Sequence, residues 1–573
     1  ESQLPFFKDW SAWALEKYRF KWATGDGALV FFVCLLMALK RLLLLDYDLN
    51  YEEGKEIECV LRILDGKLIY RDFFWQYGPV SPYAIALLFK ITGVSSILVP
   101  RLMVTAVAAL TAFYSYRAAR LYLPPSWAFW AALMASSGLA AREGTYGHGF
   151  AYLGMIASFY HLILLFKKEF DPRQAVYSGL FAFLAMLGKP VIFGAGAIFC
   201  GAVSIGFWRA VSPDRTFDTR RALLCFLSAA LLPSLAVFGY LLAKSGFQVL
   251  SFSLFPMSSG TVQINEFYLK KLFPPLPHSP LASWVGEMNK YLVDDLRWWM
   301  IVLAFLGGAF FVAREWRRGN SGLSGHFFLM ALLAYSLLIE AETVIWMTRP
   351  MTFYINMLGT FILLAIFFKW TSDRFRLKGL VRGTAFLMCV FYFFYPPIRL
   401  GAYHWTHDEP LGLKYAETVK APPYTAKAYR TIARYVQEET RPGEPILFAD
   451  YDGFIYLFSE RPTLFPEDFA IMVRTSFNRY NFRYPKSFFD GVEAKIVERV
   501  ESRPPSLILV PVRSLNKENI AKSGFLGYLV ENWRREATLN GDLEPGPFDK
   551  GELKLAVFRP KESIRTGPQN GNS

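Results

Sequence analysis

The stretch Asp46-Tyr47-Asp48-Leu49-Asn50-Tyr51-Glu52-Glu53-Gly54-Lys55-Glu56-Ile57-Glu58-Cys59, continued from residue 60 by VLRILDGKLIYRDFFWQYGPVSPYAIALLFKITG, decides how this chain is read. Six carboxylates crowd into residues 46–58, directly after the apolar run 27–45. From Glu52 to Leu64, the apolar residues Ile57, Val60, Leu61 and Leu64 recur at helical spacing, which predicts an amphipathic helix lying at a membrane interface. Glu52 and Glu53 fall at its N-terminal end, where the helix dipole and free backbone amides favour an ionised carboxylate able to act as a base. The second half, Pro79 to Gly93, is apolar enough to lie against a membrane and too short to span one comfortably. Acids placed this way also suit a loop that they merely solvate, because clustered carboxylates mark sites only on average.

The rest of the chain supplies the membrane. Of 573 residues, 53% are hydrophobic, 17% aromatic and 19% charged, against about 25% charged in an ordinary soluble domain. That composition excludes a disordered chain, a coiled coil and an ordinary cytosolic enzyme. About 20 apolar residues cross a bilayer as a helix, and about eleven runs qualify. They are 27–45, 97–116, 124–141, 150–166, 174–189, 190–208, 222–243, 298–313, 325–341, 351–369 and 380–397, the fifth and sixth parted only by Lys189-Pro190. With the N-terminus inside, every cytoplasmic segment is basic: Lys8 to Lys21, Arg117 and Arg120, Lys167 to Arg173, Arg209 to Arg221, Arg314 to Arg318, and Lys369 to Arg382. This is the positive-inside pattern. It accounts for the net charge of +14, so nucleic acid is not an expected partner. No cleavable signal is expected in Glu1 to Asp26. Four of the five cysteines (Cys34, Cys200, Cys225, Cys389) lie in apolar runs, which supports neither a disulfide framework nor a structural zinc.

The expected architecture is therefore an α-helical polytopic membrane protein. Residues 1–400 form the transmembrane part, with a first outer loop at 46–96 and a second, proline-rich one at 246–297; residues 401–573 form an extracytoplasmic α/β domain. In that domain the pattern predicts helices at 425–439, 492–501 and 525–535 and strands at 445–449, 506–510 and 553–558.

The first loop resembles that of the glycosyltransferase C superfamily, in the branch of the protein O-mannosyltransferases and the bacterial lipid A aminoarabinose transferases. The residues that carry the likeness are Asp48-x-Asn50-Tyr51-x-Glu53-Gly54, then Arg62-x-Leu64-x-Gly66 leading to Tyr70-Arg71-Asp72-Phe73, Pro79, and Thr92-Gly93. Those families open the loop helix with an adjacent acidic pair, usually Asp-Glu; the matching positions are Glu52 and Glu53, with Asp48 as the fallback. The resemblance implies a GT-C-like fold in the plasma membrane (the inner membrane of a bacterium). It also implies a polyprenyl-phosphate-linked sugar donor and a lipid, glycan or protein hydroxyl as acceptor. A monomer among membrane lipids is expected.

A lipid phosphate at the membrane boundary has to be neutralised by cations. Lys189, in Leu187-Gly188-Lys189-Pro190 at a span end, resembles the donor-phosphate lysine of the aminoarabinose transferases. Arg41, Arg142 and Arg349 are further candidates, and Lys40 is read as snorkelling to the interface. Tyr51, Tyr77, Tyr146, His148 and Glu342 are candidates for the substrate cavity, although a loop histidine such as His148 is more often a hydrogen-bonding surface group. Asp46-x-Asp48 has the form of a metal-binding pair, but the mannosyl- and aminoarabinosyl-type relatives imply no obligatory metal. The implied chemistry is one inverting displacement: a carboxylate takes the acceptor proton while the lipid phosphate leaves, so no acid is needed. The competing reading is a multi-span lipid or solute transporter. It would put ionisable groups near the midplane and show two related halves. Neither is visible.

Overall fold

The computed structural model describes residues 25–47, 49, 51–73, 75, 77–136, 146–167, 171–211, 218–247, 250, isolated positions between 362 and 372, and 376–449, 453–463, 486–540 and 554–561. The expected spans 298–313 and 325–341 lie outside these residues, as do most of 351–369 and the second outer loop.

The membrane part is a bundle of helices. The first is α1 (Gly25–Leu42), followed in the outer loop by α2 (Tyr51–Leu64) and α3 (Val80–Thr92). Then come α4 (Leu98–Arg120), α5 (Pro125–Ser136), α6 (Tyr146–Lys167), α7 (Pro172–Gly188), α8 (Gly196–Val211) and α9 (Thr219–Ser245). Among the described residues, three helices are long and apolar enough to cross a membrane: α4, Tyr146–Phe166 of α6, and α9. The interfaces use small residues, the means by which apolar helices approach closely without a hydrophobic driving force. A Cβ on Gly154 of α6 would lie 2.5 Å from the amide of Ala185 on α7, and one on Gly179 of α7 would lie 2.4 Å from the carbonyl of Phe226 on α9. The bundle core runs from Val33 and Met37 through Tyr116, Trp130 and Tyr152 to Phe226.

Two of the basic residues in the expected cytoplasmic segments are paired. Arg120 donates to both carboxylate oxygens of Asp26 at 2.8 and 3.0 Å, and Tyr116 adds a hydroxyl at 2.9 Å, closing α1 against the end of α4. Arg117 donates to the Tyr160 hydroxyl at 2.6 Å.

The break expected at Lys189-Pro190 is present. Proline disfavours helical backbone in the preceding residue and lacks an amide hydrogen. Accordingly α7 stops at Gly188, Lys189 is extended (φ −147°, ψ 94°), and Pro190–Ala195 forms a π-helical turn before α8.

The outer-loop helices match their sequence patterns, with one correction. α2 is not laid on a lipid interface. Ile57 and Val60 are fully buried in a core shared with Leu411, Ile432, Phe454 and Val557 from the C-terminal part of the chain. Glu53, Lys55 and Glu56 are buried as well, so protein surrounds the first turns of α2. By contrast α3 buries Ile85, Ala86 and Phe89 while leaving Leu87 and Ile91 exposed, the two-sided apolarity of a helix between protein and lipid. It ends at Gly93, in the left-handed conformation (φ 68°) that suits glycine.

After α10 (Lys378–Cys389) and the π-helical turn Val390–Phe394, α11 (Tyr395–His407) leads into an α/β unit. Its strands β3 (Ile446–Phe448), β4 (Leu507–Pro511), β5 (Trp533–Asn540) and β6 (Lys554–Pro560) form one sheet in the order β3-β4-β6-β5, with β3 parallel to β4 and the other pairs antiparallel; β1 (Glu409–Pro410) and β2 (Lys420–Ala421) make a small antiparallel pair before it. Helices α12 (Pro423–Glu439) and α13 (Phe454–Ser459) cover one face, and α14 (Lys486–Ser502) and α16 (Gly524–Asn532) cover the other; the short α15 (Lys517–Lys522) precedes α16. The expected helix 525–535 is shorter than predicted. It stops at Asn532, and Trp533 to Asn540 pair with β6 instead, burying the Trp533 side chain. Tertiary pairing overrides local propensity there.

Candidate active site

Three stretches of backbone meet at one end of the helices, and glycines let them do so. The amide of Gly78 donates to the carbonyl of Gly188 at 3.1 Å. A Cβ on Gly78 would lie 1.9 Å from the Leu187 carbonyl oxygen, and one on Gly188 would lie 2.7 Å from the Ala151 amide. The first outer loop, the start of α6 and the end of α7 are thereby locked together. Gly147, at the start of α6, closes on Gly188 in the same way, and the residues next to Gly78, Gly147 and Gly188 are Tyr77, His148 and Lys189.

Lys189 and His148 are both buried, with Nζ and Nε2 3.1 Å apart. The Tyr77 ring lies 5.4 Å from the His148 ring, and Tyr152 stacks on that histidine at 6.4 Å. The Lys189 ammonium lies 5.4 Å from the centre of the Phe193 ring, in the π-helical turn. Tyr77 is fixed in turn, since its carbonyl accepts from the Tyr70 hydroxyl and its ring packs on Trp75, whose indole donates to the Gly78 carbonyl at 3.1 Å. π-helical turns occur frequently at functional sites.

The acidic helix α2 joins this region through α6. Arg101, near the start of α4, grips Glu53 with two parallel hydrogen bonds, Nε to Oε1 at 2.9 Å and Nη2 to Oε2 at 2.6 Å. Its remaining nitrogen, Nη1, donates to the carbonyls of Leu45 and Tyr47 at 2.8 and 2.9 Å. The Tyr146 hydroxyl donates to Glu53 at 2.6 Å, and the Tyr146 amide donates to Glu56 at 3.0 Å, so Glu56 caps the N-terminus of α6. Tyr146 therefore holds α2, and His148, two residues along, holds Lys189.

The expected site residues are distributed as follows. Glu52 and Tyr51 occupy the first turn of α2, beside Glu53. Tyr77, Tyr146, His148 and Lys189 converge as above. Lys40 and Arg41 are both buried at the end of α1; Lys40 lies over the Phe393 ring at 5.1 Å instead of snorkelling to the interface. Asp46 accepts from His404 Nε2 at 3.1 Å and faces Lys420 at 3.8 Å. Asp48, Arg142, Arg349 and Glu342 lie outside the described residues. Two residues that sequence reasoning passed over hold the arrangement together, Arg101 and Glu56. Arg101 lies in the first turn of an apolar run, a place where an ordinary interfacial cation also sits, so nothing in the sequence sets it apart.

No family model matches the chain, and no curated protein matches it. Solved structures do. The chain is similar to ArnT from Cupriavidus metallidurans in the apo state, at 13% identity over 96% of this chain and 100% of that one, with a TM-score of 0.52. The same protein bound to undecaprenyl phosphate matches with 13% identity, the same coverage and a TM-score of 0.53. The archaeal oligosaccharyltransferase AglB from Archaeoglobus fulgidus, in complex with an inhibitory peptide and a dolichol-phosphate, matches at 12% identity over 96% of this chain and 76% of that one, with a TM-score of 0.50. The chain shares the fold of these proteins.

Proposed function

We propose that this chain is an integral-membrane glycosyltransferase that moves a sugar from a polyprenyl-phosphate donor to a hydroxyl of a lipid, glycan or protein acceptor at the outer face of the membrane. The observation that carries the reading is the convergence of the acidic helix α2 with the buried Lys189–His148 pair across the first turn of α6. Its support is a fold also found with undecaprenyl phosphate and with a dolichol-phosphate bound.

In this reading Glu52 is the base, with Asp48 as second choice. It takes the proton of the acceptor hydroxyl, and the acceptor oxygen attacks the anomeric carbon as the bond to the phosphate oxygen breaks. The lipid departs as a phosphate monoester, its charge met by Lys189 together with arginines from Arg41, Arg142 and Arg349. A single in-line displacement inverts the anomeric carbon. Glu53 plays a different part, because both of its carboxylate oxygens are held by Arg101 and Tyr146, and it fixes the turn that carries Glu52. In this reading the basic segments face the cytoplasm, and the first loop and residues 401–573 face outward.

The test is transfer from a labelled polyprenyl-phosphate sugar by the purified protein and by its single variants Glu52→Ala, Asp48→Ala and Glu53→Ala. Loss of the base is expected to slow turnover by about 10²–10⁴-fold. Full activity in all three variants sinks the assignment. Movement of lipid across vesicles without sugar transfer replaces it with a transporter.

A further inference from the structure

We propose that Lys189 and His148 form a proton-linked phosphate site: by itself the pair carries one positive charge, and entry of the lipid phosphate brings in a second proton from solvent. This rests on the phosphate role given above to Lys189 and goes beyond it by making His148 the second cation.

The geometry leads there in steps. Nζ and Nε2 lie at hydrogen-bond distance, 3.1 Å. An ammonium has three donors and no acceptor, and an imidazolium likewise only donates, so a hydrogen bond between them requires that one partner be neutral. Two full charges at that distance in a low-dielectric site repel strongly. One proton therefore lies between the two nitrogens, and the pair counts as a single cation. Among the described residues, the groups packed around His148 include Lys189 from the end of α7, the Tyr77 ring from the first outer loop, Tyr152 on its own helix and Phe193 from the π-helical turn. Of these, only Lys189 is a cation. Glu53 and Glu56 meet the same helix at Tyr146, two residues before His148.

A phosphate group reverses the balance. Its non-bridging oxygens accept a hydrogen bond from each nitrogen at about 2.8 Å, and its negative charge replaces the repulsion with two attractions. The second proton comes from water and goes to whichever of the pair was neutral; no covalent bond to carbon or phosphorus changes. The product of transfer, a phosphate monoester, carries more charge than the phosphodiester donor. A site able to hold two protons thus favours the leaving group over the donor, which pulls on the bond that breaks.

The test uses a methyl ester of a short polyprenyl phosphate, a phosphodiester whose own charge stays at one between about pH 5 and 9. It is titrated calorimetrically into the full-length protein in detergent, in two buffers of different ionisation enthalpy, which counts protons directly. The expected result is uptake approaching one proton near neutral pH. The Kd should then tighten by up to about tenfold for each pH unit lowered across the titration range of the pair. His148→Gln should bind with no proton uptake and no pH slope, and Lys189→Met should weaken binding at every pH. If His148→Gln does not fold, His148→Asn takes its place, and the proton count on the unaltered protein stands without either. Binding by the unaltered protein without proton uptake, or undiminished uptake in the histidine variant, overturns the proposal and leaves the phosphate site intact. Failure of the unaltered protein to bind the phosphodiester overturns both.

Discussion

Arg101 is the residue on which the site end of the bundle depends, since one guanidinium holds Glu53 and the carbonyls of Leu45 and Tyr47 at once. Such a planar fork cannot be replaced by a flexible ammonium without loss of geometry. Arg101→Met would leave the Glu53 carboxylate buried without its cation, a change that typically costs about 3–5 kcal/mol. Thermal unfolding in detergent should show that loss. Adding Glu53→Gln to it should restore part of the stability, because the uncompensated charge is then gone. A double variant as unstable as the sum of its parts would show that the pair is not coupled. Lys189 was legible because Leu187-Gly188 and Pro190 isolate it between two apolar runs. Arg101 was not, because a basic residue in the first turn of a span also reads as an ordinary interfacial cation. Only the fold brings it to a carboxylate 48 residues away.

At the scale of elements, the period of α2 was plain in the sequence, and its covering was not. Amphipathic spacing states that one stripe is buried without stating what buries it. The cover proves to be α13: a Cβ on Gly54 would lie 2.8 Å from the Phe454 amide, so the helix and α13 touch backbone to backbone. A second link joins the start of the first loop to α11. His404 is fully buried and donates to Asp408 at 2.8 Å and to Asp46 at 3.1 Å, with Tyr47 packed edge-on against its ring. Burial works against a charged imidazole here, but the two carboxylates outweigh it and raise the His404 pKa above its ordinary value. The sign follows. A folded pKa above the unfolded one, about 6.5, gives stabilisation that is complete below that value and is lost as the pH rises through the folded pKa. The difference in melting temperature between the unaltered protein and His404→Gln should therefore be largest in mildly acidic buffer and shrink toward alkaline pH. A difference that grows with pH would contradict the ion-paired histidine.

For the whole molecule, the contact between α2 and α13 fixes a relation that the charge pattern alone left to counting. A helix buried against the C-terminal unit cannot lie across a membrane from it, so the first loop and that unit share one side. Lys67, exposed after α2, and Lys427, exposed on α12, provide the check. Cysteines placed at both positions should react with a membrane-impermeant maleimide from the same side of intact cells, the outer side by the positive-inside rule. Labelling from opposite sides would refute the packing. The sequence by itself determined what is local or periodic: helices from apolar runs, the break at Lys189-Pro190 from proline stereochemistry, and the acidic opening of α2. It missed the strand Trp533–Asn540, whose eight residues are held by pairing with β6. The tertiary structure alone decided which carboxylate is tied down, which cations meet, and which surface covers α2. Those depend on close approach between distant segments, at Gly54, Gly78 and Gly188, where the missing side chain leaves no periodic trace to read.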